Sequence, residues 1–309
     1  LRRLKPDPLN LSVNTVVGSK LCNYQPGSCP AFLLEVTYLS LIKNIAASVS
    51  RVRDISPLVH CITNYVTVND CANAILAIGA SPIMADDIDE VEDITSISSA
   101  LVINIGTLNS RTIKSALCAG KKANELNIPV IFDPVGAGAS KLRNEAVGHI
   151  LSRIKISIIR GNLSELAFIS GLQVSTKGVD SSEADLDKDP VWVSKRVAQM
   201  YGCTAAITGA VDTISDGTRC VQLSNGHPML SAVTGSGCLT SALTGVFAGA
   251  VKDSLIAACS AILTTSVAGE LAYEKSGKLG TGSFHISLID HISTMSEETM
   301  LKYAKIREV

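Results

Sequence analysis

Charge is scarce in this sequence. Only 18% of its 309 residues are Asp, Glu, Lys or Arg, and the two signs nearly cancel, for a formal net charge of -1. No block of Lys or Arg occurs, and aromatic residues amount to 4%. Basic stripes and stacking platforms are therefore both missing, which argues against nucleic acid as a partner. The nine cysteines are odd in number and include no Cys-x-x-Cys pair. That spacing indicates neither a disulfide framework nor a zinc site, and reduced thiols in a cytosol-like compartment are expected. The five histidines, His60, His149, His227, His285 and His291, form no ligand-spaced cluster. A Gly-x-x-x-x-Gly-Lys-Ser/Thr stretch is also lacking, so the chain is not a P-loop NTPase.

What the chain has instead is apolar surface to bury, with 46% hydrophobic residues. From Asn225 to Val251 it carries no charged residue at all. Such a run raises the question of a membrane span. Pro228, Gly235 and Gly237 argue against one continuous helix there, because proline removes a donor and glycine costs about 1 kcal/mol against alanine. A strand end, a glycine turn and a buried helix are expected. Leu239, Ala242, Leu243, Val246, Phe247 and Ala250 share one helical face, and Thr240, Ser241, Thr244, Gly245, Ala248 and Gly249 make a small-residue face suited to close packing. Glycines just before a helix leave its first N–H groups open, where the helix dipole favours negative charge. Gly235, Ser236, Gly237 and Cys238 thus form a candidate anion hole with a thiol at its rim, although a tight turn into a core helix has the same signature.

The rest of the chain alternates short apolar strands with amphipathic helices. Strands are expected at Leu58 to Ile62, Ser81 to Ala85, Leu101 to Ile105, Ile128 to Phe132, Ile156 to Arg160 and Thr204 to Thr208, followed by a hairpin turning at Asp216-Gly217. A helix through Ile45 to Val52 precedes the first strand, and Thr63-Asn64 can cap the next helix. A second buried helix is expected from Leu255 to Leu271, uncharged for somewhat less than the roughly 20 residues a membrane crossing needs. Strands apolar on both faces indicate a doubly covered, mainly parallel sheet in one α/β domain, from about residue 46 to 309. Residues 1–45 are expected to be a poorly structured N-terminal extension, mildly basic and unlike a secretory signal, with organelle targeting left open. Residues 173–190 read as a polar surface excursion, and the acidic stretch from Asp86 to Asp93 as a solvated first turn.

In such sheets ligands bind at the carboxyl ends of the strands. There the polar residues collect: Asp133, Arg160, Asn162, Glu165, Thr208 and the Gly235–Cys238 turn. A glycine anion hole, one cation and two acids suit phosphoryl transfer, in which positioned donors and Mg²⁺ surround the phosphates. Each part has a plainer reading. Asn162-x-x-Glu165 is the spacing of a capping box, Arg160 can pair with a surface acid, and Met84 can be core packing.

Pro57-Leu58-Val59-His60, Ile62-Thr63-Asn64, Gly79-Ala80-Ser81-Pro82-Ile83-Met84, Asn104-Ile105-Gly106-Thr107-Leu108, Asp133-Pro134-Val135-Gly136-Ala137-Gly138, Arg160-Gly161-Asn162 and Thr234-Gly235-Ser236-Gly237-Cys238 occur in this order. The ordered set resembles the hydroxyethylthiazole kinases of thiamine salvage, over nearly the whole expected domain. The resemblance implies a ribokinase-like three-layer αβα sandwich and transfer of phosphate from ATP, with Mg²⁺, to the primary alcohol of 4-methyl-5-(2-hydroxyethyl)thiazole. It implies that Met84, Gly235 and Asn64 border the thiazole and that Arg160 and Thr208 meet ATP. Asp133 and Glu165 are implied near the metal, acting through water, and Thr107 near the thiazole or phosphates. Cys238 takes the place where many ribokinase-like enzymes carry an aspartate base. A homotrimer with sites between subunits is implied as well, with no membrane partner. Ser236 departs from the pattern, where alanine or threonine is expected. Two alternatives are a kinase of another small alcohol, such as a hydroxymethylpyrimidine, and a non-catalytic relative that binds thiazole or nucleotide. Met84 and Cys238 count against the first, and Arg160 with Glu165 and the glycine turn against the second.

Overall fold

The computed structural model describes residues 30–172 and 189–309; the sequence readings for residues 1–29 and for the excursion at 173–188 lie outside the described residues. A compact unit spans Tyr38–Val309, while Leu1–Thr37 is a separate unit of which only the opening turns of a helix are described. That helix, α1 (Pro30–Ile55), begins well upstream of the expected Ile45 start. Leu41, Ile45, Val49 and Val52 recur at helical spacing and are all buried, so core packing begins before residue 46.

Strands and helices then alternate: β1 (Leu58–Ile62), α2 (Val68–Ile78), β2 (Ser81–Ile83), α3 (Val91–Ser96), β3 (Ala100–Asn104), α4 (Ser110–Glu125), β4 (Val130–Asp133), α5 (Lys141–Arg153), β5 (Ile158–Asn162), α6 (Leu163–Ile169), α7 (Pro190–Tyr201) and β6 (Thr204–Thr208). The hairpin β7 (Asp212–Ser215) and β8 (Cys220–Leu223) turns at Asp216-Gly217 as expected. Helices α8 (Ser236–Ala250), α9 (Ser254–Ser276), α10 (Thr281–Ser293) and α11 (Glu297–Tyr303) follow, then β9 (Ile306–Glu308). The sheet order is β2-β1-β3-β4-β5-β6-β7-β8-β9, parallel from β2 to β6 and antiparallel beyond. The last two helices and β9 have no counterpart in the sequence reading. Strand β9 has a single buried residue, Ile306, and its pairing to β8 joins residues more than 80 positions apart in the chain.

Alternate residues of each central strand serve different cores. Val59, Cys61, Val102, Ile131, Ile158 and Ala206 face a layer built from α1, α2, α8, α9 and α10. Ile62, Leu101, Ile103, Phe132, Ile159 and Ile207 face the layer of α4 to α7. A strand with no solvent side must be apolar throughout, which is why these segments are continuous hydrophobic runs. The small-residue face of α8 lies on the sheet: a methyl group at Gly245 would strike Val102 and Val59. Helix α9 is, among the described residues, the one helix long and apolar enough to cross a membrane, and 89% of its most apolar stretch is buried inside the protein. The order in which strands are added reverses between the parallel neighbours β1 and β3, so their carboxyl ends open a crevice there.

Candidate active site

The glycine turn does not follow a strand. After β8 the chain enters a 3-10 turn, Pro228–Ala232, in which His227 Nδ1 accepts from Met229 N at 3.1 Å. Proline at its first position has no N–H to offer a ladder, so this segment cannot extend the sheet. Gly235 then adopts φ +84° as the N-cap of α8, with no side-chain cap. Its conformation is open to glycine above all, and a methyl group there would run into Thr67. The N–H groups of Ser236, Gly237 and Cys238 belong to the uncapped first turn, which has no intrahelical acceptor for them.

Four strand ends meet this turn. Asn104 and Asp133 are register partners at the ends of β3 and β4. Asp133 is 1% exposed and gathers donors on one oxygen: Oδ2 accepts from Asn104 Nδ2 at 2.8 Å and from Ser241 Oγ at 2.6 Å, with Arg160 Nη1 at 3.7 Å. Burial pushes its carboxyl above the ordinary range, and Arg160, Ser241 and Asn104 pull against that rise. Arg160, from β5, also donates through Nη2 to Thr208 Oγ1 at 2.6 Å. Its Nε is buried without a partner. Gly237 lies against the guanidinium so closely that an added methyl would be 2.8 Å from Nη1.

On the other side of the turn, Cys238 Sγ receives Asn64 Nδ2 at 3.0 Å and Asn104 Nδ2 at 3.3 Å. The two amides are themselves joined, Asn64 Nδ2 donating to Asn104 Oδ1 at 3.2 Å across the β1–β3 crevice. Asn64 does not cap α2. The N-cap is Thr67, without a side-chain bond, and Asn64 Oδ1 instead accepts from Thr67 N and Oγ1 in the turn before it. Thr107 Oγ1 accepts from Tyr65 N, fastening the loop after β3 to the one after β1. Met84 follows β2, half-buried, in the same apolar cluster as Cys238.

Glu165 has both oxygens engaged by backbone: Oε2 accepts from Asn162 N and Oε1 from Gly136 N, each at 2.8 Å. The capping box is thus real, and the same carboxylate also holds the Gly136 loop, in which Gly136 has φ +73°. Burial again raises this carboxyl, opposed by those two N–H groups. The loop is further gripped by Arg143, whose guanidinium donates to Ile105 O and Val135 O at 2.6 Å and Gly106 O at 2.8 Å. Among the described residues no group of three acids, histidines or cysteines is arranged to hold a metal ion.

A cavity of about 510 Å³ opens beside the turn, lined by Arg160, Thr208, Ser236, Gly237, Asp212 and His227 among others. The expected residues therefore divide around Gly235–Cys238. Arg160 and Thr208 line this cavity, while Asn64, Cys238 and Met84 lie outside its lining, and Asp133 joins Arg160 to Asn104, which donates to Cys238. Asp212 and Asn104 were not singled out as site residues from the sequence. Asn104 had a signal, a polar residue ending an apolar strand in line with Asp133. Arg143 sits mid-sequence in a helix and had none.

Residues 49–298 match the hydroxyethylthiazole kinase family. The hydroxyethylthiazole kinase of Ruminiclostridium cellulolyticum is 61% identical over 268 residues, which cover 86% of this chain and 98% of that protein. That of Clostridium beijerinckii is 59% identical, over 86% of this chain and 97% of its own. The solved structure of the Pyrococcus horikoshii OT3 hydroxyethylthiazole kinase superposes with a TM-score of 0.79 at 41% identity, covering 86% of this chain and 99% of that one. A pyridoxal kinase structure from Staphylococcus aureus, 18% identical with a TM-score of 0.52 over 69% of this chain and 87% of its own, shares the ribokinase-like fold alone. Agreement of this depth, running nearly end to end in the relatives, means that the chain belongs to the hydroxyethylthiazole kinase family.

Proposed function

We propose that this protein transfers the γ-phosphoryl group of ATP to the primary alcohol of 4-methyl-5-(2-hydroxyethyl)thiazole; its relatives are named hydroxyethylthiazole kinases. The observation that carries the reading is the uncapped turn of α8 set between a cavity and an amide-lined crevice. The cavity suits a nucleotide. It has the volume for one, and Arg160, whose Nε is buried without a partner, lines it beside Thr208 and the open N–H groups. Phosphate oxygens supplied there would satisfy donors that the fold leaves unpaired.

Asn64, Gly235 and Met84 would border the thiazole, with Thr107 fastening the loop at Asn64. Its hydroxyl would approach the turn beside Cys238. Positioning of hydroxyl and phosphate together, with donors aimed at the transferring group, accounts for catalysis without a strong base. Asp133 and Glu165 fit Mg²⁺ only through water: Glu165 has both oxygens occupied, and Asp133 collects its donors on Oδ2, leaving Oδ1 as its remaining acceptor. Such an ion would supply positive charge to offset the negative charge of the transferring phosphate.

A homotrimer with shared sites also belongs to this reading. Leu76 of α2, Ile286 of α10 and Leu279 just before α10 are 58%, 68% and 77% exposed, and α2 packs on α10. Burying such residues against another copy would be favourable. A cytosol-like compartment suits Cys61, Cys71, Cys203 and Cys259, which are buried as small hydrophobes. ADP release from MgATP, measured with and without the thiazole and with a hydroxymethylpyrimidine control, tests the proposal. Release should depend on the thiazole, and equal rates in its presence and absence would sink it.

A further inference from the structure

His60 is wholly buried in the middle of β1 and takes no part in the chemistry above. Both ring nitrogens have a polar neighbour. Nε2 is 2.8 Å from Ala85 O, and Nδ1 is 2.9 Å from Thr95 Oγ1. A carbonyl oxygen only accepts, so Nε2 must carry the proton and donate. The Thr95 hydroxyl has one proton for two neighbours, Nδ1 of the neutral ring at 2.9 Å and Val91 O at 2.6 Å, and it donates to the Val91 carbonyl. Burial keeps the ring on the neutral side, lowering its pKa from 6.5. One side chain therefore links β1 to α3 and to the segment that follows β2.

That segment has little else to hold its backbone. Strand β2 is three residues long, lies at the sheet edge, and pairs with β1 only from Ser81 to Ile83. Pro82 within it has no N–H to give. Met84 leaves the strand immediately, and Ala85 comes next. Asp86 is then tied at the surface by Arg111 at 3.0 Å. The Ala85 carbonyl is anchored by the His60 ring where the ladder has ended.

We propose that His60 is a positioning residue that fixes the Met84–Ala85 backbone and thereby sets affinity for the alcohol acceptor. The inference rests on the reading above that Met84 borders the acceptor. Loss of one buried hydrogen bond on that segment should weaken acceptor binding without touching the α8 turn, Arg160 or the nucleotide cavity.

The test compares H60L, H60N and H60Q with M84A and the double variant H60L/M84A. Glutamine can place its amide nitrogen near the Nε2 position and donate to Ala85 O, whereas asparagine is one bond too short. H60L and H60N should raise the acceptor KM about ten-fold, with kcat and ATP KM within about two-fold of the parent. H60Q should recover most of the loss. H60L/M84A should be little worse than M84A, because both act on one wall. A ten-fold rise in ATP KM, or an H60Q variant as impaired as H60N, would make His60 a general structural residue and overturn the inference. Should H60L not fold, the contrast between H60N and H60Q decides alone. An unchanged acceptor KM in M84A overturns the assignment of Met84 and this inference with it. A raised KM in M84A beside an unchanged one in H60N overturns the inference alone.

Discussion

At the scale of single residues, Cys238 is held by two side-chain amides, one from the turn after β1 and one from the end of β3. Asn64 and Asn104 both donate to its sulfur, so the side chain is positioned whatever proton it carries. Positioning and charge stabilisation supply most of the rate in a loose phosphoryl transfer. C238A is therefore expected to lower kcat while leaving measurable turnover, and C238D to retain substantial activity, since a carboxylate accepts the same two amide bonds. Steady-state kcat and ATP KM decide it; a folded, ATP-binding C238A protein with no turnover would make the thiol an essential base. Asp212 gives a second prediction, on stability. It is 4% exposed, and burial pushes its carboxyl up to about 6, against the pull of the Gly209 N–H, Arg160 and Ser266. Because the folded protein holds this proton more tightly than the unfolded chain, Asp212 contributes stability at about pH 4 and below, which is lost as pH rises through about 6. D212N removes the titration. Its unfolding free energy relative to the parent should rise between pH 4 and 6, by up to about 3 kcal/mol. Denaturant melts across that range check it, and a flat difference would contradict it.

Among the elements, α8 joins fold and chemistry. Its uncharged length follows from its place: Leu243, Val246 and Phe247 are fully buried and Gly245 lies on β1 and β3. The same close approach carries its first turn into the crevice. Gly235 is the position on which that geometry depends. In G235A the backbone at φ +84° becomes strained by roughly 1–2 kcal/mol, and the new methyl meets Thr67 Cγ2. G235A should thus be less stable and turn over slowly, as the N–H groups shift from where phosphate charge develops. T67S/G235A should recover part of the loss, because serine lacks the obstructing methyl but keeps the hydroxyl that donates to Asn64. Thermal melts and kcat for both variants report this; no gain in the double variant would locate the whole penalty in the backbone.

For the whole molecule, the question is where the folded unit begins. Leu41 and Ile45 are core residues, 8% and 0% exposed. A chain shortened to start at Pro30 should melt near the parent. One shortened to start at Ala46 loses both side chains, worth about 1.5–3 kcal/mol each when buried, and should melt well below it. Equal melting of the two would contradict the assignment of α1 to the core.

Much of this could be read in the sequence because local physics wrote it there. Strands sealed between two layers have to be apolar on both faces, so β1 and β6 were legible with their ends, and the other parallel strands to within a few residues. The glycine turn was legible because an uncapped helix entered through φ +84° needs glycine. Asp133, Arg160 and Thr208 showed as polar residues closing apolar strands, and the order of motifs pointed to the family. What tertiary structure alone decided is which of those groups meet. Asn104, Ser241 and Arg160 converge on Asp133 from three separate elements, and nothing near each in the chain marks it for that carboxylate. Arg143 joins two loops through three carbonyls without any local pattern to betray it. The upstream reach of α1, the 3-10 turn before Gly235 and the pairing of β9 with β8 likewise depend on distant partners. Periodicity records which face of a segment is buried; it does not record what the face is buried against.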